Sequence, residues 1–301
     1  MDNILKIYQE FLDKTYRHGG YQAFKINDPK TRDIHKASVR DRLIHHAIYR
    51  ILYPYFDRKF IHDSYSCRIG KGMHRAINRF RDFGRKVSIN NTRTVWILKC
   101  DIRKFFASID HKILKNILKR YIQDKDVLWL LSQIIDSYYE FGKENIGLPL
   151  GNLTSQLLIN IYLNGFDQFI KRKLKAKYYL RYADDFVIFS ADKKWLGQIL
   201  PEIKDFLEEE LKLTLHPDKV YIKTLSSGVD FLGWVHFFNH RVLRNSTKWR
   251  MYRRIFDHPV NETYQSYLGL LQHGNSWKIK QLLEVLYKKD KKCCLNKMPK
   301  I

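Results

Sequence analysis

Two adjacent aspartates, Asp184 and Asp185, interrupt an otherwise strongly apolar stretch, YYLRYADDFVIFS. The residues on either side are β-branched and aromatic, and such arms around a short polar centre predict a β-hairpin with Ala183, Asp184 and Asp185 at its tip. Aspartates are common in solvated turns, so the pair alone has a purely structural explanation. Two like charges held so close are nevertheless unfavourable unless a positive group lies between them.

A second apolar strand also ends in a carboxylate. The segment TVWILKCDI has a strand composition and delivers Asp101 at its end. Hard oxygen ligands of this kind suit Mg²⁺, which takes its remaining ligands from water and substrate phosphates. Two such ions activate an attacking hydroxyl and neutralise a leaving pyrophosphate, as a polymerase requires. The same carboxylates would also serve a nuclease, so the metal site alone leaves the reaction open.

The rest of the chain alternates helical and strand patterns. The spacing of apolar residues predicts helices over residues 2–16, from Val39 to Tyr53 before Pro54, from Ile109 to Tyr121, and over 153–175 and 195–210. Strands are expected at KVYIKT and around VDFLGWVHFF, and a basic helical region from Ser246 onward. This order predicts an α+β fold in which helices pack on an antiparallel sheet.

The net charge of the chain indicates the kind of partner that it binds. The chain has 301 residues, with 55 Lys and Arg against 31 Asp and Glu, a formal charge of +24 that favours a polyanionic partner. A hydrophobic fraction of 45% excludes a disordered basic tail. No segment is apolar for long enough to span a bilayer, and the N-terminus does not resemble a signal peptide. Cys67, Cys100, Cys293 and Cys294 lack zinc-site spacing, so we expect reduced thiols in a cytoplasm.

Several segments together resemble the motifs of reverse transcriptases, in order. WILKCDIRKFFASID resembles the first palm motif, GLPLGNLTSQLLINIYLNGFD the template and nucleotide loop with its helix, and RYADDFVIFS the hairpin. LTLHPDKVYI and VDFLGW resemble the last palm motifs, and VRDRLIHHAIYRIL and DSYSCRIGKGMHRAI the fingers motifs. The resemblance implies a right-hand polymerase fold. Fingers are expected over 1–92, a palm over 93–240 with a template loop at 141–156, and a basic helical thumb and tail over 241–301.

The resemblance also assigns roles to single residues. Asp101 and Asp184 would hold two Mg²⁺ ions, or Mn²⁺ in their place, with Asp185 a weaker ligand. Phe106 would be the steric gate that excludes the ribose 2′-hydroxyl, whereas Phe105 is expected in the core, because neighbours along a strand point to opposite faces. Lys219 would protonate the departing pyrophosphate.

Other residues of the fingers and the loop are expected near the incoming dNTP. Arg68 and Lys71 are candidates for binding its triphosphate, although a solvated loop is an equal alternative. Gly151 would let the backbone approach base or sugar, with an ordinary helix-entry turn as the alternative. Gln156 ends the same loop motif, which Leu150 begins.

This loop departs from the usual QGxxxSP pattern of the family, because it runs from Leu150 and Gly151 to Ser155 and Gln156. That pattern, with SYLGLLQHGNSW downstream, resembles reverse transcriptases of diversity-generating retroelements, encoded by bacteria or phages. The resemblance implies an enzyme that copies a template-repeat RNA into cDNA with errors at adenines and works with a basic, helical, ring-forming accessory protein. We hypothesise that Leu150 weakens geometric selection, because it only packs where Gln would hydrogen-bond.

Basic residues of the thumb are expected to track the phosphates of the RNA/cDNA duplex from one helical face. The tail KKDKKCCLNKMPKI adds cations, or is simply solvated. Two alternatives to the retroelement enzyme remain open: a stand-alone retron-, intron- or defence-type reverse transcriptase, and an RNA-binding module that no longer polymerises. The thumb residues concerned are Lys248, Trp249, Arg250, Arg253 and Arg254.

Overall fold

A four-stranded antiparallel sheet lies at the centre of the computed structural model, which describes residues 2–27 and 31–289. Its strands are β3 (Trp96–Asp101), β4 (Tyr179–Tyr182), β5 (Asp185–Ser190) and β6 (Tyr221–Thr224), in the spatial order β4-β5-β3-β6. The predicted hairpin is therefore present, but Asp185 is the first residue of β5 and not part of the turn. Tyr182 pairs with Asp185, which leaves Ala183 and Asp184 as the two-residue turn.

Four helices cover one face of this sheet. They are α4 (His111–Lys119), α5 (Lys125–Ile135), α6 (Leu153–Gln168) and α7 (Lys193–Leu211), and the sequence predicted all but α5. Leu98 and Cys100 of β3 and Phe186 of β5 belong to the largest apolar core, which α6 and α7 complete. After Gln168 the helix widens into a π turn over Phe169–Lys173, where a continuous helix was predicted.

The opposite face is covered only in part. Helix α3 (Met73–Ser88) places Phe80 and Phe83 against Phe189, near the end of β5. A second sheet of three short strands, β7 (Val229–Phe231), β8 (Trp234–His236) and β9 (Arg241–Leu243), adds to the same core. The three aspartates, at the end of this face, remain partly exposed.

The N-terminal region contains helix α1 (Asp2–Leu12), the hairpin of β1 (Tyr21–Ile26) and β2 (Arg32–Ala37), and helix α2 (Val39–Asp57). The sequence did not predict the hairpin. It also placed the end of α2 before Pro54, which was wrong: the helix continues for another turn. Phe56 in that turn is buried in the main core, and its packing outweighs the hydrogen bond that proline removes.

Three helices follow the second sheet: α8 (Asn245–Asp257), α9 (Asn261–Leu271) and α10 (Trp277–Lys289). Their inward residues Met251, Leu271 and Leu283 form a third core around the buried Trp234. Gly274 is required there, since a Cβ would lie 2.0 Å from the Trp234 ring. No helix among the described residues is long and apolar enough to cross a membrane. Beyond Lys289, which ends α10, the rest of the basic tail, with Cys293 and Cys294, lies outside the described residues.

Candidate active site

Strand pairing brings the three predicted carboxylates to one end of the central sheet. Asp101, the last residue of β3, lies directly opposite Asp185, the first residue of β5. Cross-strand partners have their Cα atoms about 4.5–5.5 Å apart and their side chains on the same face. Asp184 precedes Asp185 in the turn, and its carbonyl accepts a 3.1 Å hydrogen bond from the Ile102 amide. The site therefore depends on backbone register.

Two lysines face this acidic group. The Nζ of Lys99, two residues before Asp101 on β3, lies 3.1 Å from Oδ1 of Asp185. Lys219 donates a 2.9 Å hydrogen bond to Oδ1 of Asp101. Burial raises the pKa of Asp185 to about 7, and burial together with the Asp101 charge raises the pKa of Asp184. The cluster is therefore an acidic site that favours the arrival of positive charge.

The donor set suits Mg²⁺, since three carboxylates offer the hard oxygen ligands this ion prefers. In the present side-chain positions, no three acidic, histidine or cysteine side chains of the described residues are arranged to hold a metal ion. The ammonium groups of Lys99 and Lys219 engage Asp185 and Asp101 instead. The residues that would hold the ions are Asp101, Asp184 and Asp185.

Below the turn lies a buried ion pair that sequence reasoning missed. Arg181 of β4 and Asp167 of α6 are both 0% exposed and are joined at 2.6 Å and 2.8 Å. Arg181 also donates a 3.0 Å bond to the carbonyl of Ala183, a turn residue with a left-handed φ of 55°. Each of the two residues is a charged residue in an apolar segment, Arg181 in LRY and Asp167 in GFD. Because charged residues are rarely buried unless paired, these positions were the sequence signal for a buried ion pair.

The predicted steric gate, Phe106, follows β3, the strand that ends in Asp101. Phe105 is buried in the main core, as expected, and Phe106 is only partly buried. The reason given for this difference was wrong, because the two residues lie in a 3₁₀ turn (Phe105–Ser108) and not in a strand. The carbonyl of Phe106 accepts a 2.8 Å bond from the Leu148 amide. This bond ties the gate position to the loop that precedes α6.

The hairpin of β1 and β2 holds that loop in place. The His35 amide donates to the carbonyl of Leu150 at 2.9 Å, and the Asn152 side chain donates to the carbonyl of His35 at 2.8 Å. Gly151 has a φ of +105°, and a Cβ there would lie 2.8 Å from Cγ2 of Ile34. The loop's conformation and its packing on β2 thus account for glycine here, in agreement with the alternative of a helix-entry turn, since Asn152 is the N-cap residue of α6. The approach to base or sugar stays a prediction. Gln156 lies half-buried in the first turn of α6.

The structure gives Arg68 a role other than the predicted one. Its guanidinium is buried and donates to Asp57 at 2.7 Å and to the carbonyls of Ile61 and Ser64 at 2.7 Å and 3.0 Å. These bonds hold its own loop in shape, so reaching a triphosphate would require breaking them. Lys71 donates to the carbonyl of His62 at 2.9 Å and remains partly exposed.

Most of the basic residues of α8 share one side of the helix. Thr247, Met251 and Ile255 point inward at helical spacing. At 3.6 residues per turn, Arg250, Arg253 and Arg254 lie within about 100° of one another beside that buried stripe, whereas Lys248 lies on its other flank. Trp249 is 55% exposed. Several cations therefore share one face, as expected, and the contact of this face with nucleic acid stays a prediction.

An antiparallel sheet with a carboxylate on its central strand, an Asp-Asp hairpin beside it and helices behind it defines the palm of a right-hand polymerase. A basic helical unit follows this palm in the chain. The chain belongs to the family described as reverse transcriptase (RNA-dependent DNA polymerase), whose model matches residues 25–236.

Similar proteins agree with this assignment. Protein YkfC of Escherichia coli is 28% identical over 73% of this chain and 65% of its own length. The intron-encoded protein LtrA of Lactococcus lactis is 24% identical over 82% and 51%, and a putative COX1/OXI3 intron 2 protein of Saccharomyces cerevisiae is 22% identical over 72% and 30%. The chain thus spans about a third to two thirds of these relatives.

Solved structures confirm the fold. Apo telomerase from Candida tropicalis matches 91% of this chain and 57% of its own with a TM-score of 0.60 at 13% identity. Telomerase from Candida albicans, in complex with a fragment of telomeric RNA, matches 95% and 59% with a TM-score of 0.56 at 10% identity. The expected α+β right-hand polymerase fold is therefore confirmed.

Proposed function

We propose that this chain catalyses RNA-directed DNA synthesis, extending a primer with dNTPs on an RNA template. The observation that carries the proposal is the register of β3 and β5, which sets Asp101 opposite Asp185 with Asp184 in the adjoining turn. A binding module that had lost catalysis would not need this arrangement of three partly buried, mutually repelling carboxylates.

In this proposal each residue has one task. Asp101 and Asp184 would hold the divalent ions, with Asp185 as a weaker ligand. The ions would supply activation of the primer hydroxyl and neutralisation of the pyrophosphate. Lys219, 2.9 Å from Asp101, stands within reach of the same centre and transfers a proton to the leaving pyrophosphate. The ring of Phe106 excludes a ribose 2′-hydroxyl.

Primer extension on an RNA template with Mg²⁺ tests the proposal. We expect Asp184→Asn and Asp101→Asn to lower the rate about a thousandfold, which corresponds to roughly 4 kcal/mol of transition-state stabilisation. Asp218→Asn is the matched control, because this exposed aspartate lies one residue from Lys219 and outside the cluster. Circular dichroism checks that each variant is folded. Activity that survives Asp184→Asn would refute the metal assignment.

Two finer functions remain as proposals. The segment from Leu150 to Gln156 supports the diversity-generating type, which copies a template-repeat RNA with errors at adenines and acts with a basic, ring-forming accessory protein. The names of the relatives, LtrA and the yeast intron protein, support an intron-type enzyme instead. Sequencing the RNA that copurifies with the protein distinguishes them. A template repeat supports the first type, and intron RNA supports the second.

A further inference from the structure

A cavity of about 280 Å³ opens at the outer edge of the central sheet, away from the aspartates. It is bounded by α3, by the π turn after α6 and by the segment that enters β4. From Tyr178, which lines the cavity, to Asp184 the chain runs for six residues, roughly 20 Å of extended strand. The cavity is therefore a feature separate from the candidate active site. Its lining consists of Asp63, Arg79, Phe83, Lys86, Lys171, Lys177 and Tyr178.

The lining is strongly cationic. It contains four basic side chains and one carboxylate, that of Asp63. Arg79 forms a two-bond ion pair with this carboxylate, with its Nε 2.8 Å from Oδ1 and a second nitrogen 3.3 Å from Oδ2. Lys86, Lys171 and Lys177 therefore have no carboxylate of their own among the lining residues. Like charges gathered around a cavity favour a bound anion.

The backbone is specially shaped at one of these lysines. Lys171 lies in the π turn Phe169–Lys173, where the Leu174 amide bonds to the carbonyl of Phe169, five residues back. The Lys171 ammonium is half-buried and donates a 2.7 Å bond to the carbonyl of Lys177, which aligns it with the cavity wall. Burial lowers the pKa of Lys171. Turns of π-helix are frequent at functional sites.

We propose that this cavity binds backbone phosphates of an RNA strand outside the path of the template and primer. Arg79 and Lys86 lie seven residues apart on the same side of α3, about 10 Å along the helix axis. Lys171 and Lys177 face them across the opening. Because Arg79 and Lys86 are spaced along the helix and do not converge on one point, they match successive phosphates better than a single free anion. Lys86 and Lys177 are exposed and accessible to a long ligand.

The double variant Lys86→Glu/Lys177→Glu tests the site without disturbing the core. Binding of a labelled single-stranded RNA oligonucleotide is measured by fluorescence anisotropy from ~50 to ~200 mM salt. Each phosphate contact on a single strand contributes about 0.7 to the slope of log affinity against log salt, so we expect the slope to fall by about 1.4. At ~200 mM salt this equals about a tenfold loss of affinity.

Lys194→Glu/Lys204→Glu is the matched control, because it makes the same charge change with two exposed lysines of α7 on the other side of the sheet. We expect the control to keep nearly the wild-type slope. Equal slopes for the two double variants would overturn the proposal. Lys171→Gln, which keeps a polar side chain at the π turn, provides an independent variant and should lower the slope by about 0.7.

Two further measurements separate the alternatives. In one outcome, inorganic phosphate raises the melting temperature of the wild type but not of Lys86→Glu/Lys177→Glu, while both proteins show the same salt slope for RNA binding. The ligand is then a free anion, and the RNA proposal is wrong. The same double variant should extend a short template–primer at the wild-type rate. A loss of primer extension would place the cavity on the path of the duplex, against the proposal. Absence of polymerisation in the wild type itself would refute the proposed function while leaving the binding comparison valid.

Discussion

The buried ion pair of Arg181 and Asp167, below the Ala183–Asp184 turn, offers a sharp test of how the candidate site is supported. Replacing Asp167 by Leu leaves the Arg181 guanidinium in the core, 0% exposed, with no counter-charge. The hydroxyl of Tyr179, which donates to Asp167 at 2.7 Å, loses its acceptor as well. Burial by itself would lower the pKa of Arg181, and the Asp167 carboxylate reverses this, so the pKa in the intact protein is raised.

The expected cost follows from these contacts. Removing one member of a fully buried pair destabilises a protein by about 3–5 kcal/mol, and an orphaned hydroxyl adds about 1–3 kcal/mol, although the two effects overlap. We therefore expect Asp167→Leu to lower the free energy of unfolding by about 4 kcal/mol, a large fraction of the ~5–15 kcal/mol typical of a domain. Urea unfolding should show this as a midpoint lower by about 1–2 M.

A second variant separates stability from positioning. Asp167→Leu/Arg181→Met removes both charges and fills the space with apolar atoms, a change that is often neutral or stabilising. It also removes the donor to the Ala183 carbonyl, which helps to hold that residue in its left-handed conformation. We expect this variant to regain most of the stability lost in Asp167→Leu, short of the wild type by about 1–3 kcal/mol for the orphaned Tyr179 hydroxyl. It should extend primers more slowly, because the turn that carries Asp184 is held less firmly.

The control for the single variant is Glu284→Leu, which breaks an exposed pair with Lys288 and should cost less than about 1 kcal/mol. If Asp167→Leu costs no more than this control, the buried pair does not stabilise the fold in the way argued here. If the double variant keeps full activity, the bond from Arg181 to Ala183 is not needed to position Asp184.

Further expectations concern the gate, the loop and the buried histidines. Phe106→Ala should raise ribonucleotide incorporation relative to dNTPs by about 10–200-fold in primer extension, and unchanged selectivity would exclude the ring as the gate. Leu150→Gln should improve accuracy opposite template adenines about fivefold, the value of one added hydrogen bond, and an unchanged error spectrum would count against the loop hypothesis. Burial lowers the pKa of His45 to about 4 and of His236 to about 3. Because the unfolded state, with a histidine pKa near 6.5, then binds more protons, each histidine contributes stability above about pH 6.5 that is lost at up to ~1.4 kcal/mol per unit as the pH falls. Urea unfolding at pH 7 and pH 5 should show a smaller acid loss in His236→Gln than in the wild type, and equal losses would contradict the assignment.

The parts of the fold that sequence predicted are those with strong local patterns. The arms of the β4–β5 hairpin and helix α7 have clear strand and helix periodicity, and the structure contains both. The β1–β2 hairpin has no such pattern, because most of its residues are exposed on both faces. Its stability comes from pairing and from the bonds of β2 to the loop before α6, which no local segment encodes. The end of α2 was mispredicted at Pro54 for the same reason: the burial of Phe56, a long-range contact, decides where this helix ends.

The residues of the candidate site show the same difference between local pattern and long-range packing. Carboxylates could be predicted because each ends a strand or a strand arm, and strand ends meet at a sheet edge. Arg181 and Asp167 could not be paired from sequence, because 14 residues and a change from helix to strand separate them. Arg68 shows the opposite error, since a basic residue in a loop indicated a ligand contact, whereas its carbonyl partners could be known only from the folded loop.

Strand β3 shows why local pattern and long-range packing are both needed to make this site. Leu98 and Cys100 point into the main core, and Ile97 points into the core under α3. Lys99 and Asp101 continue the Ile97 side, yet they are charged, and each has an ionic partner beside it, Asp185 and Lys219. Alternation along the sequence predicts that one face becomes polar toward its end. Only the long-range arrangement of the covering elements leaves the carboxylates at that polar end partly exposed. A variant that extended apolar cover over Asp101 would preserve the strand while closing the candidate site.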